Sequence, residues 1–136
     1  MKKKQKILVT GVAGFIGSSI AKKLIEMGYL VYGIDDLSKG FKKNIHKEVL
    51  FFNIDLGKEK EFNFLPKDIF CVMHLSGQSS GEVSFENPNL DLEKNTLSTL
   101  NLISYVNKNK IKKVIYASSM SVYGKVSDGP IKENYK

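Results

Sequence analysis

Three glycines at even spacing, Gly11, Gly14 and Gly17, follow directly on the apolar run Lys6-Ile7-Leu8-Val9-Thr10. In that context glycine answers three demands: a tight turn at Gly11, close approach of backbone amides to an anion at Gly14, and close helix–sheet packing at Gly17. A helix starting there offers free N–H groups and the positive end of its dipole, so the chemistry is phosphate or dinucleotide binding rather than a merely structural turn. Asp35 and Asp36 stand 18 and 19 residues after Gly17. That is where a carboxylate accepts from the hydroxyls of an adenosine ribose, and such a carboxylate repels a 2′-phosphate. The pattern therefore favours NAD over NADP, with one of the two acids free to be an ordinary turn residue and Lys39, Lys42 and Lys43 nearby as a countercharge. Ser118, Ser119 and Ser121 place three hydroxyls beyond a further apolar run, Lys113–Ala117, either as catalytic groups or as a serine-rich turn. His74 opens the polar loop His74-Leu75-Ser76-Gly77-Gln78-Ser79-Ser80-Gly81 and reads as a satisfied strand-end residue.

The elements that must position these residues alternate along the chain. Apolar runs at 6–10, 30–34, 49–52, 69–75 and 113–117 predict five strands. Ile16, Ile20, Leu24 and Met27 recur at helical spacing, and Gly28 sits where a helix C-terminal glycine belongs. Asn87-Pro88 opens the longest helical pattern, to about Asn109, with Leu92, Leu97, Leu100, Ile103 and Val106 mostly along one side. Strand–helix alternation predicts an α/β fold with a doubly wound parallel sheet, and ligand at the carboxyl ends of its strands. By pattern alone Asp55, after the third strand, is a turn residue.

The chain has 136 residues, one domain's worth, with 42% hydrophobic and 26% charged residues, which excludes a disordered or fibrous class. The net charge is +7, yet all 21 basic residues are lysine. Without arginine for bidentate base reading, and with the lysines scattered, a nucleic-acid partner is not expected. One cysteine, Cys71, and two histidines give no metal-ligand spacing, and Cys71 reads as a buried strand thiol. No apolar run approaches the roughly 20 residues of a membrane span, and no signal peptide is evident. A soluble, cytoplasmic protein without metal is the expectation.

Taken together, these stretches resemble the extended short-chain dehydrogenase/reductase family, and within it the NAD-dependent nucleotide-sugar epimerases and dehydratases. TGVAGFIGS is similar to the family's TGxxGxxG entry to a Rossmann-type sheet, which adds Phe15 and Ile16 to Gly11, Gly14 and Gly17 as cofactor-binding. IDDLS resembles the acidic end of its second strand, and NIDL the segment that meets adenine, putting Asp55 and Leu56 at the cofactor. HLSGQSS resembles the loop that runs past the cofactor toward the sugar, which implies Leu75, Ser76 and Gly77 on the cofactor side and Ser79 on the substrate side. Asn95 falls at the family's helix asparagine. YASSMSVYG is close to the family's SS-x-x-VYG signature, which gives Ser119 the catalytic serine's role and Ser121 a place beside the substrate, while Glu133 in PIKEN falls at the usual acid.

The resemblance implies an enzyme that takes hydride from a sugar hydroxyl carbon onto NAD, with a nucleotide sugar as substrate. It also implies a homo-oligomer through the helix near 88–109. One part of the pattern is missing. The family's proton acceptor is the tyrosine of Tyr-x-x-x-Lys, and no tyrosine in this chain has lysine four residues on. Residues 1–136 are thus expected to be the N-terminal, cofactor-binding portion of such an enzyme, inactive alone, with self-association or marginal stability following from uncovered apolar surface. The alternatives are a stand-alone NAD-binding module without turnover and an extended-family reductase of a non-sugar carbonyl.

Overall fold

A computed structural model describes residues 4–124 and 129–133. Tyr135 and Lys136, whose adjacency cannot substitute for Tyr-x-x-x-Lys, lie outside the described residues. Five strands form one sheet: β1 (Lys6–Thr10), β2 (Leu30–Asp35), β3 (Leu50–Asn53), β4 (Cys71–His74) and β5 (Val114–Tyr116). Their order is β3-β2-β1-β4-β5, and every pairing is parallel. The chain winds outward from β1 through β2 to β3, then returns to β4 on the other flank. That reversal opens a crevice beyond the carboxyl ends of β1 and β4.

β1, β2 and β4 are continuously apolar because both faces of the sheet are covered there, whereas the edge strand β5 is exposed along its length. Side chains alternate: Leu8, Ile34 and Val72 join one cluster with Leu56, Phe62, Leu102 and Tyr105, while Ile7, Val9 and Val31 join the other with Val12 and Ala21. Helix α1 (Phe15–Glu26) covers the second cluster. It ends as the glycine at position 28 suggests, with the Gly28 amide donating to the Ile25 carbonyl and the Tyr29 amide to that of Leu24. Cys71 is buried and its thiol is pushed up by burial, countered by Lys113. Among the described residues no helix is long and apolar enough to cross a membrane, and no group of three metal-ligating side chains converges.

The long helical pattern differs from the uniform helix expected over 88–109. A short helix, α2 (Gly81–Glu86), precedes it. Asn87 then caps α3 (Pro88–Asp91) by accepting from the Leu90 amide, a π turn follows over Leu92–Leu97, and α4 (Ser98–Lys108) completes the rod. A π turn holds an extra residue, which rotates the helix before it relative to the helix after it. Ser98, Leu102, Tyr105 and Val106 are the residues buried against the sheet. Of the apolar residues expected along one side, only Val106 is among them; Leu92, Leu97, Leu100 and Ile103 are left 43–59% exposed.

Candidate functional site

The turn after β1 is shaped by glycine at two points. Gly11 takes φ +69°, a conformation that side chains disfavour. At Gly17 a Cβ would stand 2.0 Å from the Gly11 carbonyl oxygen, so α1 leans directly on the turn. Gly14 is the N-cap of α1; it has no side chain to cap the helix, and the first turn holds no acidic residue. The first turn of α1 therefore carries no side-chain cap and no acidic residue of its own on its free N–H groups. Phe15 and Ile16 beside it are 88% and 59% exposed. An anion with an apolar body fits this corner.

Asp35, the last residue of β2, reaches back to that turn: Oδ2 accepts from the Ala13 amide at 2.9 Å and Oδ1 from the Leu37 amide at 2.9 Å. Asp36 turns the other way. Its Oδ1 accepts from the Ser38 amide and hydroxyl at 2.9 and 2.6 Å, and its Oδ2 pairs with Lys94 Nζ at 3.0 Å. Asp55 Oδ1 accepts from the Gly57 amide and stands 3.0 Å from the same ammonium, so it is turn residue and ion-pair partner at once. Leu56 is buried, and its carbonyl accepts from Asn101 on α4. Burial alone would raise the Asp36 carboxyl, but the Ser38 hydrogen bonds and Lys94 outweigh it and hold the group below its usual range. Burial would likewise lower Lys94, and the two carboxylates raise it instead. The countercharge for Asp36 is thus Lys94, from the π turn, rather than the exposed Lys39, Lys42 and Lys43 of the adjoining loop. Nothing in periodicity or spacing singled out Lys94; its partners lie 58 and 39 residues upstream.

His74 is 2% exposed and fully engaged. Thr10 Oγ1 already accepts from the Leu75 and Ser76 amides, so its own hydrogen goes to His74 Nδ1, 2.8 Å away. The ring proton is then on Nε2, which donates to Thr99 Oγ1 at 3.0 Å, and the Thr99 hydroxyl donates to the Asn95 carbonyl. Burial pushes the imidazole pKa down, which keeps it neutral. The satisfied strand-end role expected for His74 describes this geometry.

Ser76 is drawn in as well, its hydroxyl standing 3.0 Å from Thr10 Oγ1. The loop beyond is tied to the central helix by Asn95, whose Oδ1 accepts from the Gln78 amide while Nδ2 donates to the Gln78 carbonyl and Asp91 Oδ1. A Cβ on Gly77 would approach Asn95 Oδ1 at 3.0 Å. Leu75, Ser76 and Gly77 thus form a fixed rim on the crevice, with Ser79 exposed further out. Gln78, Ser84 and Asp91, which complete this network, carried no signal in the sequence. Beyond β5, Ser119 caps a short 3-10 turn, Met120–Tyr123; its Oγ accepts from the Ser121 amide and lies 3.1 Å from the Ser121 hydroxyl, both serines exposed. Glu133 is exposed and has no part in the clusters described above.

The site thus joins a glycine turn at the start of α1, acids at the ends of β2 and β3 and a hydroxyl-bearing rim at one end of a parallel sheet. A family model described as "NAD dependent epimerase/dehydratase family" matches residues 7–136. A putative UDP-glucose 4-epimerase of Methanocaldococcus jannaschii is 41% identical over 133 residues, covering 95% of this chain and 43% of that protein. Among solved structures, UDP-glucose 4-epimerase of Thermotoga maritima with UDP-glucose superposes with TM-score 0.87 at 35% identity, over 96% of this chain and 44% of that one. The Thermus thermophilus UDP-glucose 4-epimerase complex with NAD gives TM-score 0.85 at 36% identity, over 96% and 43%. The chain spans less than half the length of these relatives. On fold, site and sequence together, it belongs to the NAD-dependent epimerase/dehydratase family.

Proposed function

We propose that the chain is the NAD-binding N-terminal part of a nucleotide-sugar epimerase or dehydratase. The observation that carries the reading is the corner made by the uncapped α1 N-terminus and Asp35, locked together by the Ala13 amide. Gly11, Gly14, Phe15, Ile16 and Gly17 hold the cofactor pyrophosphate, Asp35 and Asp36 its adenosine ribose, and Asp55 and Leu56 its adenine. Leu75, Ser76 and Gly77 border the nicotinamide half, and Asn95 keeps them in place. Bound NAD supplies the hydride acceptor for a sugar hydroxyl carbon. Ser119 holds the oxygen of that hydroxyl by hydrogen bonding, with Ser121 and Ser79 toward the substrate. Ser119 is not the proton acceptor: a hydroxyl gives up its own proton only to a partner base. His74 is not available either, because both ring nitrogens are engaged.

The proton acceptor and the sugar-holding residues come from outside residues 1–136, so this stretch alone gives no turnover. The exposed Leu92, Leu97, Leu100 and Ile103 face is where a second copy packs in the assembled enzyme. A coupled assay with UDP-glucose on this chain, and on the longer protein extended through its next Tyr-x-x-x-Lys, tests the reading. Activity in the longer form that drops at least a hundredfold with Ser119→Ala is expected, a loss on the scale of one positioned catalytic group. Comparable turnover by the 136-residue chain, or none by either form, overturns it.

A further inference from the structure

We infer that Lys94 sets how strongly the adenosine end of this site discriminates NAD from NADP. The inference rests on the NAD-binding reading above and adds to it a residue with no part in holding the pyrophosphate. One ammonium stands 3.0 Å from Asp36 Oδ2 and 3.0 Å from Asp55 Oδ1, bridging the carboxyl ends of β2 and β3 from the π turn. The three side chains are only 19–26% exposed, so water screens them incompletely. Asp35 and Asp36 would together put two negative charges at the ribose. Asp35 accepts from the Ala13 and Leu37 amides and has no ion pair among the described residues, whereas Asp36 is neutralised by Lys94.

A 2′-phosphate entering this wall therefore meets one uncompensated carboxylate rather than two, and a cation one contact behind the second. Removing the ammonium restores the second charge. The phosphate of NADP then suffers and the hydroxyl of NAD does not, because a freed carboxylate remains a good acceptor for a hydroxyl. A residue acting only as a structural brace would weaken both cofactors together.

Calorimetric titration of the full protein with NAD and with NADP, in wild type, Lys94→Met and Lys94→Arg, separates these cases. The Met variant is expected to raise the NAD-over-NADP affinity ratio by about three- to tenfold, chiefly by losing NADP, with the effect shrinking as salt is added. The Arg variant, which keeps the charge, stays within about twofold of wild type. Lys94→Gln, which also removes the charge, is expected to shift the ratio the same way and serves as the readout should Lys94→Met fail to fold. An unchanged ratio in Lys94→Met or Lys94→Gln, or NAD and NADP weakened equally by either, overturns the role of Lys94 while leaving NAD binding intact. A wild-type protein that binds neither cofactor removes the cofactor reading itself, and this inference with it.

Discussion

Substituting Gly17 by alanine strikes the contact that makes the anion corner. The added Cβ would lie 2.0 Å from the Gly11 carbonyl oxygen, 2.7 Å from its carbon and 3.0 Å from Val12 Cα. All three are backbone atoms, so no side chain can swing aside. Ordinary contact begins at 3.4 Å, and 3.4 minus 2.0 leaves about 1.4 Å by which α1 and the turn must separate. Overpacking against backbone on this scale costs about 3 kcal/mol, from which alanine's better helix propensity returns about 1. A net loss of about 2 kcal/mol lowers the melting temperature by roughly 6–10 °C for a chain of this length. The larger consequence is for binding. If the turn and the helix N-terminus hold the pyrophosphate as proposed, moving one relative to the other spoils two charge-assisted hydrogen bonds worth about 3 kcal/mol, or more than a hundredfold in NAD affinity. Gly81→Ala is the control, since a Cβ there meets nothing within 4 Å. Calorimetry and NAD titration on both variants decide the matter. A Gly17→Ala protein that melts with wild type and binds NAD as Gly81→Ala does would refute the packing argument.

Neutral His74 favours the folded state, so its contribution is complete above the ordinary histidine pKa of 6.5 and is lost as pH falls below it, toward the lower folded value. The melting temperature should decline from pH 7 to pH 5, and His74→Gln should flatten that decline; an identical slope in the variant contradicts the buried-neutral assignment. Tyr105, its hydroxyl donating to the Pro66 carbonyl and its pKa raised by burial to about 12, holds α4 to the loop before β4. Tyr105→Phe should cost about 1–2 kcal/mol by chemical denaturation without changing NAD affinity. Asn95→Ala removes the tie on the Gln78 backbone and should weaken NAD several-fold with little loss of stability, as the variant's titration and melting curve would show.

The parts of this fold that were legible are those whose cause is local. β1 reads as a buried parallel strand because Ile7, Leu8 and Val9 have no polar alternation, and both sheet faces are in fact covered. The glycine turn reads from spacing because the steric demand at Gly17 arises six residues away, at Gly11. What stayed hidden depends on a local departure or on distance. Periodicity finds an apolar side but not what covers it: Leu97, Leu100 and Ile103 recur along the helix on a side left exposed, while α4 packs on the sheet through Ser98, Leu102, Tyr105 and Val106, and the π turn at Leu92–Leu97 had no sign in the count. The Lys94 bridge joins three elements that only the sheet order brings together. The cue available beforehand was slight: a lysine directly before Asn95, in a chain whose second and third strands both end in acids.

On the proposed function, the α1 N-terminus and Asp35 form an NAD site. Calorimetric titration of NAD into the chain and into its Asp35→Ala variant tests it most directly. Saturable one-to-one binding, weakened by about 1–3 kcal/mol in the variant through loss of a charge-assisted hydrogen bond, is the predicted result. No heat of binding in the wild type, or equal affinity in the two proteins, would contradict it.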